Sequence, residues 1–281
     1  MTDAQTSWFD TTVTALSDPQ NQRVWSIIVS LFGDLAQRDG DQIGGSALTR
    51  IITPMGIKPE AIRVALHRLR KDGWIDSTRS GRASVHFLTP MGRSQSAAVT
   101  PRIYAPTTLA PKDWHLLIAQ DGQGGALDAL LQQPNYVAVN RSTVLGHGPL
   151  PRERDQFLVV DHPDLSVPDW LRQRLFPEDL KLACARLDST LSGVKPPEAS
   201  RVSDALDPTQ IATLRTLIVH RWRRVVLRYP DLPSDFYPEG WAGPACRAQV
   251  FALLDSLPRP DLNQLEHEVA AQADTRERSV T

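Results

Sequence analysis

The sequence predicts an α+β fold in three successive parts: an N-terminal winged helix-turn-helix, a ferredoxin-like α+β middle domain and a helical C-terminal domain. Three observations predict it. From Ser46 to Thr89 a helical pattern, a Pro/Gly turn, a basic helical pattern and an arginine-bearing hairpin follow one another. From about Lys112 to Pro196, apolar runs of strand length alternate with short helical stretches. Beyond Arg201 the apolar residues recur mostly at the helical period.

Taken in order, residues 1–17 read as a polar leader carrying Trp8 and Phe9. Asp18-Pro19 has the form of an N-cap and first helical position, opening a helix to about Gln37 with Val24, Ile27, Ile28, Leu31 and Leu35 as its buried stripe. Arg38 to Asp41 is a loop. Ser46 is the expected N-cap of a helix running to Ile52, which Thr53-Pro54-Met55-Gly56 breaks. Pro59 suits the first turn of the next helix, and Asp72-Gly73 ends it.

That second helix has two unlike faces. Ile62, Ala65, Leu66 and Leu69 fall at i, i+3, i+4 and i+7, whereas Arg63, Val64, His67, Arg68 and Lys71 lie opposite. Strands are expected at Trp74–Ser77 and Ser84–Thr89, with Val85 and Phe87 facing inward. The loop between them holds Arg79 and Arg82 around Gly81. A basic helix lying in a major groove and a hairpin touching phosphate or a minor groove is the pattern of a double-stranded DNA reader spanning residues 18–100.

Charge agrees with this division. Residues 20–95 hold 11 Lys and Arg against 6 Asp and Glu, while the remainder holds 20 against 26. A basic head on an acidic body fits a phosphate-binding head whose affinity depends on salt. Cys184 and Cys246 are far apart with no CxxC partner, so neither a disulfide framework nor a zinc site is expected, and a reducing cytoplasm fits. The start Met1-Thr2-Asp3-Ala4-Gln5 lacks the form of a signal peptide, and no apolar run reaches the ~20 residues that span a bilayer, so no membrane contact is expected.

Thr89-Pro90-Met91-Gly92-Arg93 opens a short helix, and the proline-bearing Pro101–Pro111 is the expected boundary. The middle domain, residues 112–196, then has strands at Trp114–Ala119, Tyr136–Asn140, Ser142–Leu145 and Gln156–Asp161. Helices are expected at Gly125–Gln133 and Pro168–Leu175; Leu182–Leu187 is open between strand and helix. Gly193–Ser200 reads as a linker. In the C-terminal domain, residues 201–260, Pro208 opens a helix to Arg228 whose apolar side holds Ile211, Leu214, Leu217, Ile218 and Val225. An aromatic loop, Phe236–Pro244, and a helix from Ala245 to Leu257 follow; the charged tail from about Asp261 is expected to fray.

Several stretches together resemble the PaaX-like repressors of phenylacetate degradation. They are Leu31-Phe32-Gly33-Asp34, Ala61 through Trp74, Arg102-Ile103-Tyr104, Arg221-Trp222-Arg223-Arg224, Tyr229 through Pro233, and Pro238-Glu239-Gly240-Trp241 with Gly243. They run in the family's order across nearly the whole chain; Asp121–Gly125 and the segment before Pro149 depart from its pattern. The resemblance implies the same three-part fold and a dimeric transcriptional repressor. It also implies release from the operator by an aryl-coenzyme A thioester such as phenylacetyl-coenzyme A, an effector rather than a cofactor.

A coenzyme A thioester needs arginines for its phosphates beside an apolar slot. Arg221, Arg224 and Arg228 beside Trp222, facing the Phe236–Trp241 loop, are the best such combination; alternatively those arginines pair with Asp231, Asp235 and Glu239 and hold the loop. Trp170, Phe176, Phe236, Tyr237 and Trp241 are available for homodimer contacts or for cores.

Two other classes of function account for less of the sequence. An acyl-coenzyme A binding or protein-interaction module without DNA binding would not need the basic head. Asp121 stands where similar domains of CRISPR-associated nucleases hold a metal-binding Asp, but a two-metal nuclease needs several convergent carboxylates and no matching set is present. Nor is any GxSxG, Walker A or GxGxxG pattern, so no enzyme is predicted.

Overall fold

In the computed structural model of the protein, the expected leader is a helix, Asp3–Leu16 (α1). Phe9, Val13 and Leu16, at i, i+4 and i+7, are buried, so tertiary packing holds a stretch whose composition alone reads as polar. The structure describes residues 3–18, 23–80, 83–107, 113–120, 125–133, 135–161, 166–194, 206–229 and 231–266.

The next helix is Val24–Leu35 (α2), shorter than expected. Ile43–Gly44 (β1) leads into Gly45–Ile52 (α3), capped by Gly44, so Ser46 lies in the first turn and is not the N-cap. A 3-10 turn, Thr53–Met55, ends at Gly56 with φ of 78°, a left-handed conformation that glycine takes without strain. Pro59–Lys71 (α4) follows with the predicted bounds, and Gly73 has φ of 75°. Ile75–Ser80 (β2) and Ala83–Leu88 (β3) pair antiparallel, with β1 on the outer side of β3.

β2 is longer than the sequence suggests, β3 is shifted by one residue, and Arg79 is drawn into β2 opposite Ser84. The alternation of β3 is also inverted. His86 and Leu88 are buried, whereas Val85 and Phe87 are only partly so. The polar ring is tolerated inside because Ser77 Oγ lies 2.6 Å from His86 Nδ1 across the pair.

Pro90–Ile103 (α5) is capped by the Thr89 hydroxyl, which accepts from the Gly92 N–H at 3.0 Å. It runs through Pro101, so the expected boundary does not begin there. The next four residues form an anchored strap. Arg102 pairs with Asp231 at 2.8 Å, and Trp222 Nε1 donates to the Ile103 carbonyl at 3.0 Å. Tyr104 donates to Asp34 at 2.8 Å, and Arg247 donates to the Ala105 carbonyl at 2.6 Å.

The middle residues contribute Trp114–Ala119 (β4), Gly125–Leu131 (α6), Tyr136–Ala138 (β5), Thr143–His147 (β6) and Phe157–Asp161 (β7). They form an antiparallel sheet in the order β5-β6-β4-β7. Between β6 and β7 the chain makes one 3-10 turn, Arg154–Gln156, and no helix. Asp169–Leu175 (α7) and Glu178–Gly193 (α8) follow, so Leu182–Leu187 is helical.

Pro208–Val226 (α9) begins with a capping box, Asp207 accepting from the Gln210 N–H at 2.7 Å while Gln210 accepts in return. It is buried almost all round, with α1, α2, α3 and α5 packed on it as well as α8 and the last long helix, Gly243–Ser256 (α10). One continuous apolar core therefore runs from α1 to Leu265. The tail does not fray where expected. Residues 262–266 are helical, Leu265 is fully buried, Glu266 accepts from the Gly44 N–H at 2.6 Å, and Arg50 donates to the Leu265 carbonyl at 2.6 Å.

Mixed helices and two antiparallel sheets make the chain α+β. No helix among the described residues is long and apolar enough to cross a membrane.

Candidate nucleic-acid interface and arginine cleft

α4 buries Ile62, Ala65, Leu66 and Leu69 against the neighbouring helices α2 and α3. This turns Arg63, Val64, His67, Arg68 and Lys71 outward together, and all five are exposed. Val64 is 70% exposed, an apolar side chain in the middle of a basic face. Arg63 is held on the surface by Glu60 at 2.8 Å. Arg68 is steered from two sides: Asp72 lies at 3.5 Å, and the Trp25 ring centroid of α2 lies 5.6 Å from its guanidinium carbon.

Arg79 is exposed near the end of β2, while Arg82 lies outside the described residues. Behind the hairpin, burial and then the charge of Arg70 hold His86 below its ordinary pKa, so the ring is neutral at pH 7. His86 went unrecognised in the sequence because an alternating strand gives no sign of which face is buried. Chemically, the α4 face offers guanidinium and ammonium donors for phosphates and base edges around one apolar contact.

The second feature is a cleft of about 370 Å³ between α8 and α9. Arg221, Arg224 and Arg228 line it as expected, joined by Arg223 and by Arg186 of α8; Leu187 and Val225 give it an apolar wall. The sequence shows no link between Arg186 and this group, since α8 was not recognised throughout as a helix.

Trp222 is placed differently from expectation. It is fully buried, its indole bonded to Ile103 and covered by the Arg247 guanidinium at 5.1 Å from the ring centroid. Trp222 lies about 100° round α9 from Arg221, off the stripe shared by Arg221, Arg224 and Arg228, and there the helix faces the core. Nor does the aromatic loop face the arginines. Tyr237 and Trp241 close on Phe176, with Tyr229 also against Trp241, and Phe236 packs edge-on to Trp114. Phe176 and Phe236 are buried and serve the core; of the five aromatics set aside for contacts, Trp170 is the one more than half exposed.

The acids that meet the arginines also differ from those expected. Arg228 bonds Asp179 at 2.5 Å, which holds that carboxyl below its ordinary pKa, and Arg224 faces Asp18 at 3.7 Å. Asp231 is committed to Arg102. The guanidinium of Arg223 has no hydrogen bond or ion pair among the described residues, and burial lowers its pKa. Among the described residues, five arginines and one carboxylate, Asp18, line the cleft, a surplus of positive charge suited to phosphate groups.

Asp121 lies outside the described residues. Among the described residues, no group of three or more His, Cys, Asp or Glu is placed to hold a metal ion.

The α4 face and the α9 side of the cleft lie within segments that match known families, whereas Asp18, Arg186 and Leu187 lie outside them. The family described as PaaX-like protein matches residues 23–92, from α2 through the hairpin. The family described as PaaX-like protein C-terminal domain matches residues 188–260, which include α9 and α10. Together the two matches cover more than half of the chain. The transcriptional repressor PaaX of Escherichia coli (strain K12) is 27% identical over 244 residues, covering 79% of this chain and 76% of that protein. Among solved structures, the uncharacterized protein Rv0674 from Mycobacterium tuberculosis is 19% identical, covers 86% of this chain and 97% of its own, and superposes with a TM-score of 0.49.

Proposed function

The chain belongs to the PaaX-like family, and on that premise we propose that it is a DNA-binding transcriptional repressor of phenylacetate-type catabolism, released by an aryl-coenzyme A effector. The observation that carries the DNA reading is the outward face of α4, where Arg63, Val64, His67, Arg68 and Lys71 are all exposed while the intervening apolar positions are buried.

In this reading residues 18–100 are a winged helix-turn-helix, with α4 in the major groove and the β2–β3 hairpin, bearing Arg79 and Arg82, as the wing. Arg63 and His67 reach base edges and Val64 suits the methyl group of a thymine; Arg68 and Lys71 bind phosphate. Residues 112–196 form a ferredoxin-like unit. Its strand order is that fold's 4-1-3-2, although a loop with a single 3-10 turn replaces the second crossover helix. Residues 201–260 are the helical C-terminal unit.

A homodimer would read two half-sites, gaining affinity through effective concentration. The arginine cleft fits the effector's phosphates, with Arg221, Arg224 and Arg228 as ligands joined by Arg186 and Arg223; Trp222 supports the helix that carries them.

The test is a gel-shift series of the purified protein against the DNA upstream of its own gene, with and without phenylacetyl-coenzyme A. A saturable complex that survives competitor DNA and dissolves on adding the thioester is expected. No sequence-selective complex at low salt would reject the DNA reading in favour of a module that binds only small molecules or proteins.

A further inference from the structure

The arginine cleft is tied to the N-terminal end of the chain. Arg221 donates from Nη1 to the carbonyls of Ala15, at 3.2 Å, and Leu16, at 3.4 Å. These are the last residues of α1, where the helix leaves its carbonyls unsatisfied and its dipole favours a cation. One turn further along α9, Arg224 faces Asp18 just beyond α1. Both arginines line the cleft. α1 is in turn packed against α8, α9 and the turn Thr53–Met55, which joins α3 to α4. Met55 in that turn is buried, as are Phe9, Val13 and Leu16 of α1.

We propose that a phosphate-bearing ligand and the C-terminal end of α1 compete for Arg221 and Arg224, so that filling the cleft unlatches α1 and withdraws its support from the turn ahead of α4. The inference rests on reading the cleft as the effector's seat. It adds the route by which occupancy reaches the outward face of α4.

The chemistry favours exchange. A phosphate offers an arginine two acceptor oxygens in a planar fork, whereas Arg224 now has a carboxylate at 3.7 Å and Arg221 has neutral carbonyls. Arg223, desolvated and without an acceptor among the described residues, gains an anion in the exchange. A ligand shifts an equilibrium only by its differential affinity for the two states. Here the difference is the release of two arginines from α1.

The experiment uses the full-length protein. Calorimetry with coenzyme A, and with inorganic pyrophosphate as a phosphate-only probe, is run on wild type, Arg223→Ala and Asp18→Asn. Hydrogen exchange is followed across residues 9–17 with and without ligand. Coenzyme A should bind wild type and bind Arg223→Ala about tenfold or more weakly. Exchange at 9–17 should rise on binding. Asp18→Asn should bind coenzyme A up to about fivefold more tightly, because a competing partner of Arg224 is gone, and should hold the operator correspondingly less well without ligand. Pyrophosphate should act in the same sense, more weakly.

Asp18 is 34% exposed at the rim, and the hydrogen-exchange comparison needs no substitution. If coenzyme A fails to bind, or binds wild type and Arg223→Ala equally, the cleft is not its seat and the latch falls with that reading. If Arg223→Ala loses binding while exchange at 9–17 is unmoved and Asp18→Asn matches wild type, the cleft reading stands and the latch alone is overturned.

Discussion

Asp34 of α2 and Arg215 of α9, 181 positions apart in the chain, form a buried two-point ion pair, Nε to Oδ2 at 2.8 Å and Nη2 to Oδ1 at 2.9 Å. Their side chains are 0% and 5% exposed. Tyr104 and Arg259 also donate to Asp34, and Arg215 reaches the carbonyls of Leu254 and Leu257. One carboxylate thus joins α2, the strap after α5, α9 and the end of α10.

Breaking this pair from one side strands a buried charge, which costs about 3–5 kcal/mol. Asp34→Ala should therefore lower the urea midpoint steeply. Replacing both partners by apolar residues, as in Asp34→Leu with Arg215→Met, should cost less than Asp34→Ala alone. Equal stability of Asp34→Ala and wild type would show that the network contributes little.

On the α4 face, a bidentate arginine–guanine contact is worth ~1–3 kcal/mol of discrimination. Arg63→Ala should weaken specific operator binding about tenfold while leaving the fold intact, since the side chain is 72% exposed and, among the described residues, bonds only Glu60. Arg79→Ala in the hairpin should weaken binding to most sequences alike and flatten the salt dependence. Fluorescence anisotropy with operator and scrambled duplexes at two salt concentrations separates the two; unchanged operator affinity in Arg63→Ala would remove α4 as the reader.

Much of this was legible in the sequence because local patterns dictate it. The bounds of α4 follow from Pro59 and Gly73, and its faces from a 3.6-residue period. The arginines of α9 share a cleft because their spacing keeps them on one side. What the sequence concealed depends on pairings across long separations. The helix α1 owes its place to α9, and the tail near Glu266 is held by Gly44 and Arg50. The inverted burial of His86 depends on Ser77 nine residues away. Trp222, Phe176 and Phe236 were ambiguous because an aromatic side chain suits a core and a binding surface equally, and only the neighbours decide.

The homodimer can be tested directly. Leu158 on the edge strand β7, Trp170 on α7 and Leu182 on α8 are 65%, 57% and 48% exposed, apolar surface outside residues 18–100. Light scattering should give twice the 31.2 kDa chain mass at micromolar concentration, and Leu158→Lys should shift the equilibrium towards monomer if that edge takes part. A 31.2 kDa species with and without operator DNA would reject the dimer.

The last prediction concerns pH. His220 sits inside the α2–α9 packing, 4% exposed, with Nδ1 3.2 Å from the Ser30 hydroxyl. Burial first, and then the charges of Arg224, Arg223 and Arg221, lower its pKa to about 4. An unfolded histidine takes up its proton near pH ~6.5. Between these values the unfolded chain binds the proton and the folded chain does not, so stability must fall as pH drops from about 6.5 and level off below about 4. The loss approaches roughly 2 kcal/mol by pH 5, at ~1.4 kcal/mol per pH unit. His220→Gln keeps a polar side chain near Ser30 but cannot titrate. Its urea midpoint should be lower than wild type at pH 7.5 and should fall less between pH 7 and pH 5. Parallel pH profiles for the two proteins would mean that the acid sensitivity arises at other groups.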